Sequence, residues 1–430
     1  MGPYASSGWS DLPIDLLIRI LRLLELLEAL AFRAVCPSWR SASAAAGRVP
    51  PCRTPWLVSL AEEPLLSGDQ QQPVRRGLWD PTATSELRNL LDAEKTFQVS
   101  FPWGQAVACW GASHGWLRPY TMGGLIMANE LSDLVLYNPF TAASLSLPPI
   151  TGFASCIEGV YGDEGNVVGY RYGCYESDSF FLTSDSVYDV RSLGGFFYDK
   201  VVLSGSPSAG PAIALSMHMD SKRLSVVRVG DCSWRQVSVI RRSLDSYADC
   251  VYHCGRFYAV TMEGKLKSWG LGGPEDRPRK KTIIAEGDDY FFELITRYLV
   301  STPWGHLLQI RVVLDKYQEH YVRVDVERLD LKSSQMVGVS PAKALRGHAA
   351  FLGQNSLGIL SVDKFPEVRT NCIYFTTPRL RGDAFEHCHN QWIGVKVYDL
   401  RSRKLEDVFL SGGGHYGTIC PSEVWFTPSL

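Results

Sequence analysis

The sequence predicts a small all-α head followed by a large all-β body, a β-propeller of roughly six to eight blades. Three observations lead there. Residues 9–46 are Leu-rich, with apolar positions at helical spacing. From Trp56 onward the apolar residues fall into short runs parted by tight turns, and the only helical pattern left is Ser85–Leu91. The body is also long for one sandwich, and parallel α/β folds need helices between their strands. A ring of small sheets takes many short strands and leaves little open edge. At roughly 40–50 residues per blade there is room for seven or eight blades, and for six where loops are long. A double sandwich is the alternative.

The head opens at Trp9. Ser10 and Asp11 are both candidate caps, with Pro13 in the first helical turn. Leu16, Leu17, Ile20, Leu21 and Leu24 recur at helical spacing, as do Leu26, Leu27, Leu30, Ala31 and Ala34. Pro37 stops that run, Ser38 fits the cap of a third helix, and Gly47 fits its stop. Between Leu23 and Leu27 there is no breaker. The first two helices therefore either run together or part without a marker. So short a unit holds more apolar residues than one face can hide. It either caps its own β body or docks on another protein.

A linker follows at 47–55, where Gly47, Pro50, Pro51 and Pro55 break any helix. The body then spans 56–430. Trp56–Leu60, Lys95–Ser100 and Ala106–Trp110 read as its first strands. A strand-turn-strand grammar recurs afterwards. Leu125–Ala128, Leu134–Tyr137 and Ser144–Leu147 carry it, with Asn138-Pro139 as the turn. It returns at Leu224–Val229 with Trp234–Val239, Arg256–Thr261 with Lys265–Trp269, Leu307–Leu314 with Tyr321–Val326, and Ile393–Tyr398 with Lys404–Phe409. A last strand near Val424–Phe426 is placed to close a ring against an early one.

Composition excludes several classes. A net charge of −2 supplies no global field for nucleic acid. No run of uncharged apolar residues is long enough to span a bilayer, and no signal peptide is evident. Eleven cysteines without regular spacing point to a reducing compartment rather than a disulfide scaffold. Met1-Gly2 with Ser6 fits the bare myristoylation pattern, which Pro3 argues against. Arg277–Lys281 is read as a solvated loop, with nuclear import as its alternative. Cys250, His253 and Cys254, and His387, Cys388 and His389, have metal-ligand chemistry but not paired tetrahedral spacing, so no metal is expected. Gly270–Gly273 lacks the Lys-Ser/Thr of a phosphate loop, and no G-x-S-x-G elbow occurs. No cofactor and no catalytic residue is expected.

Two resemblances sharpen this. Trp9, Leu12-Pro13, Leu16-Leu17 and Ile20-Leu21, closed by Val35-Cys36 and Trp39-Arg40, resemble the F-box, including its V-C-x-x-W-R signature. The likeness covers about 35 residues, and the missing breaker at Leu23–Leu27 departs from the usual pattern. Asp133–Thr141 with Leu147-Pro148-Pro149, Gly255–Val260 with Gly264–Leu266, and Trp425–Leu430 resemble the KIB-type β-propeller of plant F-box proteins. The pairing implies a non-catalytic substrate receptor of a cullin ubiquitin ligase. It would sit in the cytoplasm or nucleus and join a Skp-type adaptor to an unidentified target. The adaptor contacts implied are Leu12, Pro13, Leu16, Leu17, Ile20, Leu21, Val35 and Trp39, with Trp39 also packing inward. The alternatives are a stand-alone interaction propeller with a degenerate F-box, and a propeller enzyme.

Overall fold

A computed structural model describes residues 8–24, 26–46, 55–59, 85–90, 96–99, 109–113, 124–139, 142–176, 179–182, 187–205, 211–219, 221–241, 245–270, 279–285, 294–314, 322–353, 355, 358–376, 395–409 and 424–426. The expected linker at 47–54, the Gly47 stop, Met1–Ser6 and the His387–His389 cluster lie outside them.

The head is a short 3-10 turn, Trp9–Asp11, followed by helices α1 (Ile14–Leu23), α2 (Leu26–Val35) and α3 (Pro37–Ala45). Asp11 caps the turn rather than a helix: its carboxylate accepts the Gly8 N–H at 2.9 Å. Helix α1 starts later than its caps suggest, at Pro13, whose carbonyl accepts the Leu16 and Leu17 N–H groups. Likewise Ser38 is not the cap of α3. Cys36 holds that position in extended geometry, and Pro37 takes the first helical place. The first two helices do part, at Leu24, whose ψ of 156° is extended. No local breaker causes this. Leu17 and Leu21 of α1 must meet Ala29 and Phe32 of α2 and Ala42 of α3 in one core. A straight continuous helix would carry α2's apolar residues away from it. Small residues on α3, Ala42 and buried Ser43, let its neighbours approach closely.

The body is a six-bladed propeller with one inserted sheet, seven sheets among the described residues. Blade 1 pairs Trp56–Ser59, Ser85–Asn89 and Thr96–Val99 with the terminal Val424–Phe426. Blade 2 is Cys109–Ser113, Gly124–Ala128, Leu134–Tyr137 and Ser144–Ser146. Blade 3 is Tyr198–Leu203, Ile213–His218, Arg223–Arg228 and Arg235–Val239; blade 4 is Tyr247–His253, Arg256–Thr261, Leu266–Gly270 and Arg279–Ile284. Blade 5 is Leu294–Ser301, Leu307–Leu314, Val322–Asp330 and Gln335–Gly338. Blade 6 has five strands: Ala349–Leu352, Gly358–Leu360, Cys372–Phe375, Val395–Asp399 and Lys404–Phe409. One of its pairings is parallel, Ala350 opposite Ile373.

The first strands of blades 2, 3, 4 and 5 touch in succession, which defines the ring. The seventh sheet, Ile157–Tyr161, Val167–Glu176 and Ser179–Leu182, lies in the connection from blade 2 to blade 3 and not between their first strands. It shares one apolar cluster with both blades, in which Phe153 stacks on Trp234 at 4.6 Å. The Tyr170 hydroxyl donates to the Leu131 carbonyl at 2.7 Å and ties the sheet to blade 2.

Two sequence expectations fail in the body. Ser85–Leu91 is not helical; Ser85–Asn89 is a strand, because Leu87 fills the blade 1 core opposite Val58 and Phe97. Packing overrides local pattern there. Arg279–Lys281 is not loop but the exposed outer strand of blade 4.

His218, at the end of blade 3's second strand, gives the propeller an acid sensitivity. Its Nε2 shares a hydrogen with the Ser225 hydroxyl at 2.9 Å, and its ring packs on Phe153 and Phe197. Burial, and secondarily the Arg223 charge, push its pKa down to about 3 from 6.5. Unfolded, the imidazole binds a proton below about 6.5; folded, it does so only near 3. Stability from this group is therefore full above 6.5 and falls by about 1.4 kcal/mol per pH unit below it. Urea unfolding at pH 7 and pH 5 should show a loss about 2 kcal/mol larger in wild type than in His218→Gln. Equal losses would mean that His218 titrates normally.

Candidate functional site

The head separates its apolar residues into a core and a surface. Leu17 and Leu21 are 1% and 0% exposed. They belong to the core and leave the expected set of adaptor contacts, because on α1 they point at α2 and α3. Leu12 and Ile20 are half-buried against that core. Pro13 and Leu16 are exposed, as is Val35 at the end of α2.

Leu16, Ile20 and Leu23 stand at i, i+4 and i+7, so they form one stripe along α1. Leu23 is 76% exposed and Leu16 39%. Leu23 was not among the expected contacts, although the spacing that marks Leu16 and Ile20 extends to it. Ile14 and Trp9 are also open to solvent. Asp15, Arg19 and Arg22 give the remaining exposed surface of α1 its charge. An unpartnered leucine stripe beside charged residues is unusual for so small a unit. Each such side chain gains about 1.5–3 kcal/mol when a partner covers it fully.

Trp39 has a different role from a contact residue. Its indole N–H donates to the Trp9 carbonyl at 3.0 Å, and its ring lies 4.4 Å from Phe32. It fastens the N-terminal turn to α2 and α3 and so positions Trp9, Leu12 and Pro13. Arg40 acts similarly, donating to the Arg33 carbonyl at the C-terminal end of α2 at 3.4 Å. The Arg33…Trp39-Arg40 spacing thus serves the head's own geometry.

Residues 9–45 match the F-box domain model, and residues 87–399 match the KIB1-4 β-propeller model. The chain belongs to the KIB1-4 β-propeller family. An F-box protein of Arabidopsis thaliana is 28% identical over 142 residues, 33% of this chain and 31% of that protein, so the match spans under a third of its length. Among solved structures, a puromycin-hydrolysing peptidase of Mycobacterium tuberculosis is 12% identical, covering 77% of this chain and 51% of that one, with a TM-score of 0.29. A protein described as a 6-phosphogluconolactonase, from Bacteroides uniformis, is 9% identical, covering 67% and 95%, with a TM-score of 0.22. Neither structural likeness bears on chemistry.

With an F-box and a KIB1-4 propeller in one chain, this is an F-box protein, built from domains typical of non-catalytic adaptors. Its metal-like residues are placed accordingly. Cys250 is buried in blade 4, whereas Cys254 is exposed in the following turn, and His253 shares a hydrogen with the Ser301 hydroxyl at 2.8 Å. Among the described residues no group of three His, Cys, Asp or Glu side chains is gathered to hold a metal ion. No described helix is long and apolar enough to cross a membrane.

Proposed function

We propose that this chain is the target-recognition subunit of a Skp–cullin–F-box ubiquitin ligase. The F-box docks on a Skp-type adaptor and through it on a cullin, and the propeller holds a target protein. The chain makes and breaks no bonds. It raises the local concentration of target lysines near a ubiquitin-charged enzyme. The observation that carries this is the exposed Leu16 and Leu23, on one stripe of α1 with half-buried Ile20 between them. The reading places the protein where cullin ligases act, in cytoplasm or nucleus.

Leu16→Ala combined with Leu23→Ala should weaken binding to a recombinant Skp-type adaptor at least tenfold, about 1.4 kcal/mol. Titration calorimetry measures this, and circular dichroism confirms that the head still folds. Unchanged affinity in the folded double variant would move docking to another face.

A further inference from the structure

Between blades 5 and 6 lies a cleft of about 690 Å³. Its walls come from the Trp304–His306 turn and Arg328 of blade 5, the connector at 337–347, and Asn371 and Arg401 of blade 6. Four of these residues are cations, Arg328, Lys343, Arg346 and Arg401, and no carboxylate lines the cleft. None of the four has an ion-pair partner among the described residues. Two acids in adjoining turns accept backbone N–H groups. Asp330 accepts the Lys332 N–H at 2.9 Å, and Asp399 accepts the Arg401 N–H at 2.7 Å.

Arg346 among the cations is held by an aromatic ring. Arg346 lies over the Trp304 ring at 5.0 Å, with His348 edge-on to the same ring. Arg346 itself has a φ of 49°, in the left-handed region. Asn371 supplies an independent sign. It is 1% exposed, and its side-chain oxygen accepts the Gly347 N–H at 3.1 Å. Asn371 lines the cleft, and its buried Nδ2 has no hydrogen-bond partner. A buried amide donor left unmade costs free energy until an acceptor arrives. Burial, then Arg328 and Arg346, also hold His306 below its usual pKa.

We propose that this cleft binds a phosphorylated side chain of a peptide segment on the target protein. The proposal rests on reading the propeller as the part that holds the target. A phosphoryl group brings nearly two negative charges and three acceptor oxygens, which a cluster of four cations matches. Leu308, Val337 and Val339 add apolar lining that suits side chains flanking the phosphate. Blade 5's outer strand, Gln335–Gly338, borders the cleft and pairs on one side only among the described residues, so an extended peptide has a strand edge to follow. With a net charge of −2 the chain offers a local positive site rather than a broad field for nucleic acid or anionic membrane.

The test uses the full chain and three probes. These are a degenerate peptide library with a central phosphoserine and its unphosphorylated twin, inorganic phosphate, and phosphoinositide-containing vesicles. The phosphorylated library should bind at least tenfold more tightly than its twin, and more tightly than inorganic phosphate. Arg346→Glu with Arg401→Glu should abolish that preference while adaptor pull-down persists. Lys343→Glu, at an exposed helical position, gives the same reading should the double variant not fold. Equal binding of the two libraries, retention in both charge variants, or preference for vesicles would each overturn the proposal. Loss of adaptor binding with intact phosphopeptide binding would overturn the docking role and leave the cleft standing.

Discussion

Replacing Asp249 with alanine will destabilise the propeller by about 3–5 kcal/mol. Asp249 lies on the first strand of blade 4, and its side chain is 3% exposed. One carboxylate oxygen accepts the ammonium of Lys200, on the first strand of blade 3, and the Cys250 N–H at 2.8 Å. The other accepts the Leu299 N–H, on the first strand of blade 5, at 2.7 Å. Three successive blades thus meet at one side chain. Irregular register at Tyr198/Lys200 and at Tyr247/Asp249 turns both partners toward each other. The variant strips a buried ammonium of this carboxylate and leaves the Leu299 N–H unpaired, and both effects act on the folded state. The ion pair itself need not be strongly stabilising. Lys200→Met with Asp249→Leu should therefore recover the part of the loss due to the stranded ammonium, while the Leu299 N–H stays unpaired. Chemical denaturation of the three variants checks this. A loss below about 1 kcal/mol for Asp249→Ala, the size expected of an exposed pair, would remove the residue from this role.

Asp249 also marks the limit of what sequence conveys here. Nothing local distinguishes it from a surface aspartate; its partners lie about fifty residues away in either direction. The same holds for the cleft, whose residues run from Trp304 to Arg401 and meet only because blades 5 and 6 are neighbours. What was legible is what local chemistry controls. Arg256–Thr261 and Leu266–Gly270 were readable as a hairpin because Gly264 supplies the left-handed turn between them, at a φ of 95°. Leu125–Ala128 and Leu134–Tyr137 were readable as paired runs of strand-forming residues. The blade count was not fixed by such runs. The sheet at Ile157–Leu182 has the same local character as a blade, and only its position outside the ring makes the blades six.

The head shows the same division. Its helical composition and closing motif were visible, whereas the break at Leu24 that makes the helices three was not, since packing rather than a breaker produces it. The assignment of Leu17 and Leu21 to a docking surface failed for a related reason. Periodicity identifies an apolar face but not which partner covers it, and a small head uses its best-placed leucines on itself. The exposed stripe becomes apparent only after the core residues are subtracted.

Replacing Trp425 with alanine should cost about 3–5 kcal/mol and open the ring at one seam. Val424–Phe426 is the last described strand, and it pairs with the first strand of the body, Leu57 opposite Trp425. That pairing, with Val424 packed among Trp56, Val58 and Leu87, joins the strand to blade 1. Trp425 joins it to blade 6 as well. Its indole N–H donates to the Leu352 carbonyl at 2.8 Å, and its ring meets Phe351 edge-on at 5.1 Å. The Asn355 side chain accepts its backbone N–H at 2.9 Å and donates to its carbonyl at 2.8 Å. With 0% exposure, the indole fills space that alanine leaves empty. Trp425→Phe should cost less, since a ring still contacts Phe351 and the Leu352 carbonyl that loses the indole keeps the Thr376 N–H at 3.0 Å. Stability follows from chemical denaturation, and the seam from hydrogen exchange. Amides of Trp56–Ser59 and Val424–Phe426 should lose protection before those of blades 3 and 4, because a ring closed by one terminal strand frays there first. Uniform loss of protection around the ring, or stability unchanged in Trp425→Ala, would show that closure rests on the backbone pairing with blade 1 and not on this side chain.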